Sequence, residues 1–570
     1  MGFDDILAHL GEFGRYQRWV YAVMCLVNIP SGMQQMAQVF LAGGSDHWCK
    51  VGSWENEDCV QWGLTDDQCF EAKRNASAPI DGSEEDAQCY KYTIVDGLPF
   101  SPSLDPATYN NTNVTECNDG WVYDRSQYHS TIVQEYDLVC DQASLPNLAQ
   151  SLFFVGVLVG SVLFGTISDV IGRRLVIYIS MALQGCLGIA IAFSPNYATF
   201  TTLRVFMGAA NTGVFLIAFV VGTELVGPSK RPVAGIVTAM FFSVGYMLLA
   251  LIAFFVRDWW LLQIIISIPS FLLLLTFPFV PESVRWLISR GRTEEATSII
   301  VKAGKVNKVK LPDPIFSDEE IREQEAATTA KPLTMLELFK TPNLRIRTLN
   351  CMFNWTVNTL VYYGLSLSTS DLGVNDYVAF FISGAVEVPA YICSIFAIDI
   401  IGRKWTLSGS MLAGGVACLC TIFTPLGVWR TTVAMIGKFG ISASFCIIYV
   451  YSAELFPTPV RSVGIGLCSM SARVAGILSP LILLLNQTWE PLPVLIFGVS
   501  SIAAGLLALF LPETKGAKLP ETIMEGELFG MKKTEYEINP INHQPKESPI
   551  EEKHPATGKE NEGFSKDLEL

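Results

Sequence analysis

Residues 169–174 read Asp-Val-Ile-Gly-Arg-Arg, and residues 399–404 read Asp-Ile-Ile-Gly-Arg-Lys. The second run follows the first by 230 positions, and it does not stand alone. Glu224-Leu225 with Arg231 returns as Glu454-Leu455 with Arg461, again 230 on, and Pro281-Glu282 returns as Pro512-Glu513 at 231. Three pairs at one offset point to a duplicated unit. Each copy stands at the end of an apolar run of about 20 residues, the length a helix needs to cross a bilayer core of ~30 Å at 1.5 Å per residue.

Counting such runs predicts twelve spans, near 19–41, 148–167, 175–194, 200–222, 233–256, 259–280, 348–368, 377–398, 405–425, 430–452, 460–485 and 491–511. Composition agrees. Half of the 570 residues are apolar and 16% are charged, with a mean hydropathy of +0.36; a soluble chain carries about 25% charge. The expected fold is an all-α membrane protein of two pseudo-symmetric six-helix halves. Its segments are a cytoplasmic N-terminus (1–18), a first half (19–280), a linker (281–347), a second half (348–511) and a cytoplasmic tail (512–570). An amphipathic stretch near 283–303 predicts short surface helices in the linker. The tail beyond 526 has the polar, Pro/Glu/Lys-rich composition of disorder.

Orientation follows the short loops that carry positive charge. Arg173 and Arg174, Lys230 and Arg231, Arg403 and Lys404, and Arg461 fall in alternate loops with the linker. That side is therefore cytoplasmic, and both termini share it. The opposite side carries the long excursion 42–146, which holds 19 acidic against five basic residues and so most of the chain's net −15. It also holds Cys49, Cys59, Cys69, Cys89, Cys117 and Cys140 with glycan acceptors at Asn75, Asn110 and Asn113. Paired cysteines beside N-x-S/T sites indicate an oxidising outer compartment, and six cysteines allow 15 pairings, all open here. Asn354 and Asn486 fall in or beside spans, out of reach of glycosylation. The eight remaining cysteines (Cys25, Cys186, Cys351, Cys393, Cys418, Cys420, Cys446 and Cys468) read as small buried hydrophobes.

Charge inside a span costs ~2.5–3.5 kcal/mol on insertion scales and so marks function. Glu387, Lys438 and Arg473 lie well within their spans, with Arg204 and Glu224 nearer the ends of the fourth. Glu387 suits an ammonium and Arg473 a carboxylate; pairing with each other or with neighbours, as structural glue, is the competing reading. Phe215 and Phe219, Trp355 and Tyr362, and Tyr449 offer ring faces to a quaternary ammonium, although aromatics also serve as ordinary bundle filler. All five histidines (His9, His47, His129, His543, His554) fall outside the spans, which excludes a histidine proton relay. No phosphate loop, zinc spacing or nucleophile–base set appears. An enzyme is not expected, and neither is a nucleic-acid partner. No cofactor is implied, with sodium or proton coupling left open. Leu568-Glu569-Leu570 fits a weak PDZ-type partner.

The motifs resemble a known family. Gly165-x-x-x-Asp169-x-x-Gly172-Arg173-Arg174 with Arg204-x-x-x-Gly208 is similar to the signature of the major facilitator superfamily. The glycosylated six-cysteine excursion, Pro281-Glu282-Ser283-Val284-Arg285-Trp286-Leu287 and Pro512-Glu513-Thr514-Lys515-Gly516 resemble its organic cation, carnitine and organic anion transporters. The resemblance covers about 1–525. It implies a plasma-membrane transporter of small organic cations or zwitterions working by alternating access. Asp169, Arg173, Arg174, Glu224 and Arg231, with Asp399, Arg403, Glu454 and Arg461, would be its gating charges. It places Phe215, Phe219 and Tyr362 on the pocket wall. Cation-selective members carry an Asp where Cys468-Ser469-Met470-Ser471-Ala472-Arg473 has Arg, a feature of carnitine- and anion-type members. Glu387-Val388-Pro389-Ala390 is similar to cation and carnitine types. An organic anion exchanger governed by Arg473 and Lys438, and a non-transporting receptor or adhesion protein, are the alternatives.

Overall fold

The computed structural model describes residues 3–54, 59–79, 84–102, 113–311, 315–316 and 334–531. Among these, twelve long helices form the bundle: α1 (Arg15–Met36), α2 (Leu145–Ile171), α3 (Arg173–Ala192), α4 (Tyr197–Glu224), α5 (Arg231–Phe255), α6 (Trp259–Leu274), α7 (Pro342–Leu367), α8 (Asp376–Ile400), α9 (Arg403–Thr421), α10 (Val428–Leu455), α11 (Arg461–Leu483) and α12 (Leu492–Ala508). Eight are long and apolar enough to cross a membrane; α1, α7, α9 and α12 are not. For α1 and α7 the reason is functional in form. They bury Asn28, Gln34 and Gln35, and Asn354 and Asn358, polar groups that a span tolerates only facing the bundle interior.

The duplication is visible in the packing. In the first half α1 packs on α4, α5 and α6, α2 on α4, and α3 on α4 and α6. In the second α7 packs on α10, α11 and α12, α8 on α10, and α9 on α10 and α12, the same map shifted by six helices. The halves meet along α2 with α11 and α5 with α8. Small residues permit the closest approaches: a Cβ on Gly208 would lie 2.1 Å from the Phe153 carbonyl oxygen, and one on Gly245 2.2 Å from that of Ile29.

The excursion is folded. Strands β1 (His47–Cys49) and β4 (Trp121–Tyr123) pair antiparallel, as do β2 (Tyr90–Tyr92) and β3 (Val114–Glu116). They enclose a small core of Trp48, Trp54, Tyr92, Val95 and Phe100. Of the 15 pairings, the disulfides are Cys49–Cys117, Cys59–Cys69 and Cys89–Cys140. Buried Lys91 bonds Asp96 at 2.6 Å and Asp119 at 3.0 Å. Burial alone would lower its pKa, but the two carboxylates outweigh burial and hold it above the usual lysine value. Asn75 and Asn113 are exposed; Asn110 lies outside the described residues, as do the tail beyond 531 and the C-terminal PDZ-type motif. Five of the eight unpaired cysteines are buried, whereas Cys186, Cys393 and Cys420 are exposed on the outer sides of their helices. Buried apolar character was the wrong expectation for those three, because a span's apolar residues face lipid as readily as protein. The linker's amphipathic stretch forms two helices, Val284–Ser289 and Thr293–Asn307, broken at Gly291 with φ of +70°.

Candidate functional site

The repeated motifs assemble a helix cap in each half. Glu282 accepts the backbone N–H groups of Arg173 (2.9 Å) and Arg174 (3.1 Å) at the start of α3. Glu513 does the same for Arg403 (2.9 Å) and Lys404 (3.1 Å) at the start of α9. A carboxylate at a helix N-terminus satisfies orphan donors and opposes the helix dipole. The intervening glycines are required twice over: Gly172 and Gly402 have φ of +107° and +106°, and a Cβ would approach the carboxylates to 2.4 and 2.7 Å. This explains why Gly-Arg and Pro-Glu recur together in each half.

The copies then diverge. Arg403 reaches Glu454 through Nε at 3.0 Å and Nη2 at 3.0 Å, and sits 3.8 Å from Asp399. Thr514 donates to the same Glu454 at 2.6 Å. In the first half, Ser283 donates to Glu224, matching Thr514, but Arg173 turns to Asp169 at 2.9 Å and its buried Nε has no hydrogen-bond partner. The arginine–glutamate bond of this motif set is thus made in the second half and absent in the first, among the described residues. Arg174 stacks on Phe277 at 4.1 Å, Arg231 opens α5, and Arg461 donates to the Phe456 carbonyl at 3.2 Å.

In the middle of the bundle the candidate binding residues largely converge. Lys438 on α10 and Glu387 on α8 are both fully buried with Nζ 2.9 Å from Oε1. Lys438 also donates to Ser366 at 2.5 Å and lies 3.5 Å from the centroid of the Tyr362 ring. Ser243 donates to Glu387 from the first half, and Tyr391 does so at 3.4 Å. Tyr362 stacks on Phe445 at 5.5 Å, Phe445 meets Tyr449 at 5.6 Å, and Tyr449 meets Trp355 at 4.2 Å. Phe219 approaches Tyr449 at 6.4 Å and so joins α4 to α10 across the halves. Phe215 turns toward α5, packing on Phe242 at 5.9 Å. Trp355 is fully buried and donates to Ser452 at 2.8 Å.

Arg473 is not the partner of Glu387. It is half-buried on α11, donates to Ser469 at 2.5 Å, and has no carboxylate within 4 Å among the described residues. Its electrostatic neighbours are Tyr449 and Tyr363. Helix rotation, which no motif encodes, decides this: the Glu387 side of α8 faces α10 and α5.

Reading charges alone misses a network of amides. Asn211 donates to Gln35 Oε1 at 3.0 Å, Ser31 to Asn211 at 2.9 Å and Gln184 to Asn211 at 3.2 Å. Gln35 donates to the Tyr363 hydroxyl across the halves. The available signal was the clustering of Asn28, Gln34, Gln35 and Gln38 in one span. On the excursion side the halves are bridged by Tyr128 donating to Asp376 at 2.7 Å, Tyr377 to the Gln127 carbonyl at 3.0 Å, and Phe40 stacked on Tyr377 at 5.4 Å.

Residues 108–523 match the family described as Sugar (and other) transporter. The chain is 42% identical over 545 residues to the Organic cation transporter protein of Drosophila melanogaster, covering 93% of this chain and 96% of that one. The family is settled. The chain belongs to the organic cation and carnitine transporters of the major facilitator superfamily. Another such transporter, the Organic cation/carnitine transporter 2 of Mus musculus, is 36% identical over 533 residues, with 91% and 93% covered. Among solved folds, the inward-open xylose transporter XylE from E. coli matches at TM-score 0.58 and 14% identity, over 89% of this chain and 99% of that one. Membership of this transporter family fixes the chain as a multi-pass membrane protein and a transporter rather than an enzyme, with a small organic substrate.

Proposed function

We propose that the chain carries small organic zwitterions of the betaine or carnitine kind across the plasma membrane by alternating access, with both termini cytoplasmic. The observation that carries this reading is the division of charge at the midplane. Glu387 is already met by Lys438, so it offers little net attraction to a free cation, whereas Arg473 lacks a carboxylate of its own. A substrate carboxylate supplies one, in a bidentate geometry that lysine cannot offer. The ammonium then rests on the faces of Phe219, Phe445 and Tyr449, an attraction of about 0.5–2 kcal/mol. The rocking of the halves is supported by the unequal arginine–glutamate contacts, one formed and one open, and by the bonds of Tyr128 and Tyr377 that close the excursion side.

Uptake of radiolabelled carnitine and of tetraethylammonium tests the assignment in cells expressing wild type, Arg473→Gln and Glu387→Gln. Arg473→Gln should raise the carnitine KM at least ~10-fold, the scale of a lost charge-assisted bond, while tetraethylammonium uptake is unchanged. Equal losses for both solutes would sink the zwitterion reading. An organic anion exchanger is the second reading, favoured by the two cations Arg473 and Lys438 against one carboxylate; strong trans-stimulation by internal dicarboxylate would select it.

A further inference from the structure

Among the described residues three lysine or arginine side chains are fully buried: Lys91, Lys438 and Arg204. The first two hold carboxylates, Lys91 from Asp96 and Asp119 and Lys438 from Glu387. Arg204 on α4 has none within 4 Å among the described residues. Its Nη2 donates to Gln150 Oε1 at 2.9 Å, its Nη1 donates to the Gln34 carbonyl at 3.3 Å, and its plane lies 4.5 Å from the Phe153 ring centroid. The Nε–H donates to nothing.

A guanidinium remains charged at every physiological pH, and a buried charge is among the least favourable groups to leave uncompensated. Two neutral oxygens and a ring face carry only partial negative charge. A chain of hydrogen bonds also links Arg204 to the surroundings of Arg473. Tyr363, the neighbour of Arg473, accepts from Gln35, whose backbone carbonyl accepts from Gln150 at 3.4 Å, and Gln150 accepts from Arg204.

We propose that Arg204 is a binding site for a small monovalent anion, chloride under cellular conditions, separate from the substrate's place at Arg473. A halide suits the free Nε–H donor because it accepts from any direction. A divalent anion does not, since one guanidinium would leave a net negative charge in the bundle. The site stands on the fold and not on the identity of the substrate.

The test uses the full chain in detergent, without substrate, heated in sodium chloride or sodium gluconate of equal ionic strength. Wild type and Arg473→Gln should both show a saturable rise in Tm of about 2 °C in chloride; Arg204→Gln should show none, and Arg204→Lys a smaller rise. Should Arg204→Gln fail to fold, bromide replaces chloride in crystals of the wild type, and its anomalous peak is expected against the Arg204 guanidinium. The proposal is overturned if wild type shows no chloride-specific rise, if the rise survives Arg204→Gln, if Arg473→Gln alone abolishes it, or if bromide is absent from Arg204.

Discussion

Replacing Lys438 with methionine removes the ammonium 2.9 Å from Glu387 and leaves that carboxylate fully buried. At that distance and an effective dielectric of ~20 the attraction is about 6 kcal/mol, part of which offsets the cost of burying both charges. Removing one partner of a buried pair commonly costs about 3–5 kcal/mol, whereas replacing both by neutral groups is close to neutral. With an unfolding entropy near 2.1 cal/mol/K per residue, Lys438→Met should lower the Tm by roughly 3–4 °C. The double variant Glu387→Gln/Lys438→Met should recover most of that. Size-exclusion thermostability of the solubilised protein reads both numbers, and the double-mutant cycle isolates the pair from the methylene packing that both lysine variants lose. A single variant within 1 °C of wild type, or a double variant as unstable as the two singles added, would refute the argument that the charges depend on each other.

Three further outcomes are expected. Gly172→Ala and Gly402→Ala force a side chain into positive φ against a carboxylate and should each cost at least ~1–2 kcal/mol, seen as a loss of folded protein in the membrane fraction. Arg403→Gln should destabilise the chain about twice as much as Arg173→Gln in the same thermostability assay, because only Arg403 holds a largely buried glutamate; equal effects would mean the observed asymmetry has no energetic weight. Opening Cys49–Cys117 by serine substitution should loosen the excursion by about 1.7 kcal/mol more than opening Cys59–Cys69, given sequence separations of 68 and 10 and the logarithmic dependence on loop length. Limited proteolysis between residues 42 and 146 measures the difference.

The spans were readable because length and hydropathy are local properties, and the duplication because Gly172, Glu282 and their copies are held by the same cap. Ends were less so. Expected to run 19–41, α1 stops at Met36 and restarts as a short helix at Gln38, and α7 begins at Pro342, six residues before its apolar run. Arg473 and Glu387 were each picked out as intramembrane charges, but which charge faces which depends on helix rotation and crossing. No spacing along the chain encodes those, so Lys438 emerged as the partner only in three dimensions. The Gln34, Gln35, Gln150 and Asn211 network carries no formal charge, so amides enter spans at smaller cost and leave a weaker mark in the sequence. The disulfide pairing required the strand register of the excursion.

The paired glycine–glutamate caps also bear on how the chain is made. Glu282 closes on Arg173 and Arg174 within the first 282 residues, and Glu513 closes on Arg403 and Lys404 without borrowing anything from the first copy. The leading bundle can therefore lock its own ends while the ribosome is still delivering the linker. The trailing bundle arrives later as a separate assembly, to be docked along α2 and α5 rather than threaded between them.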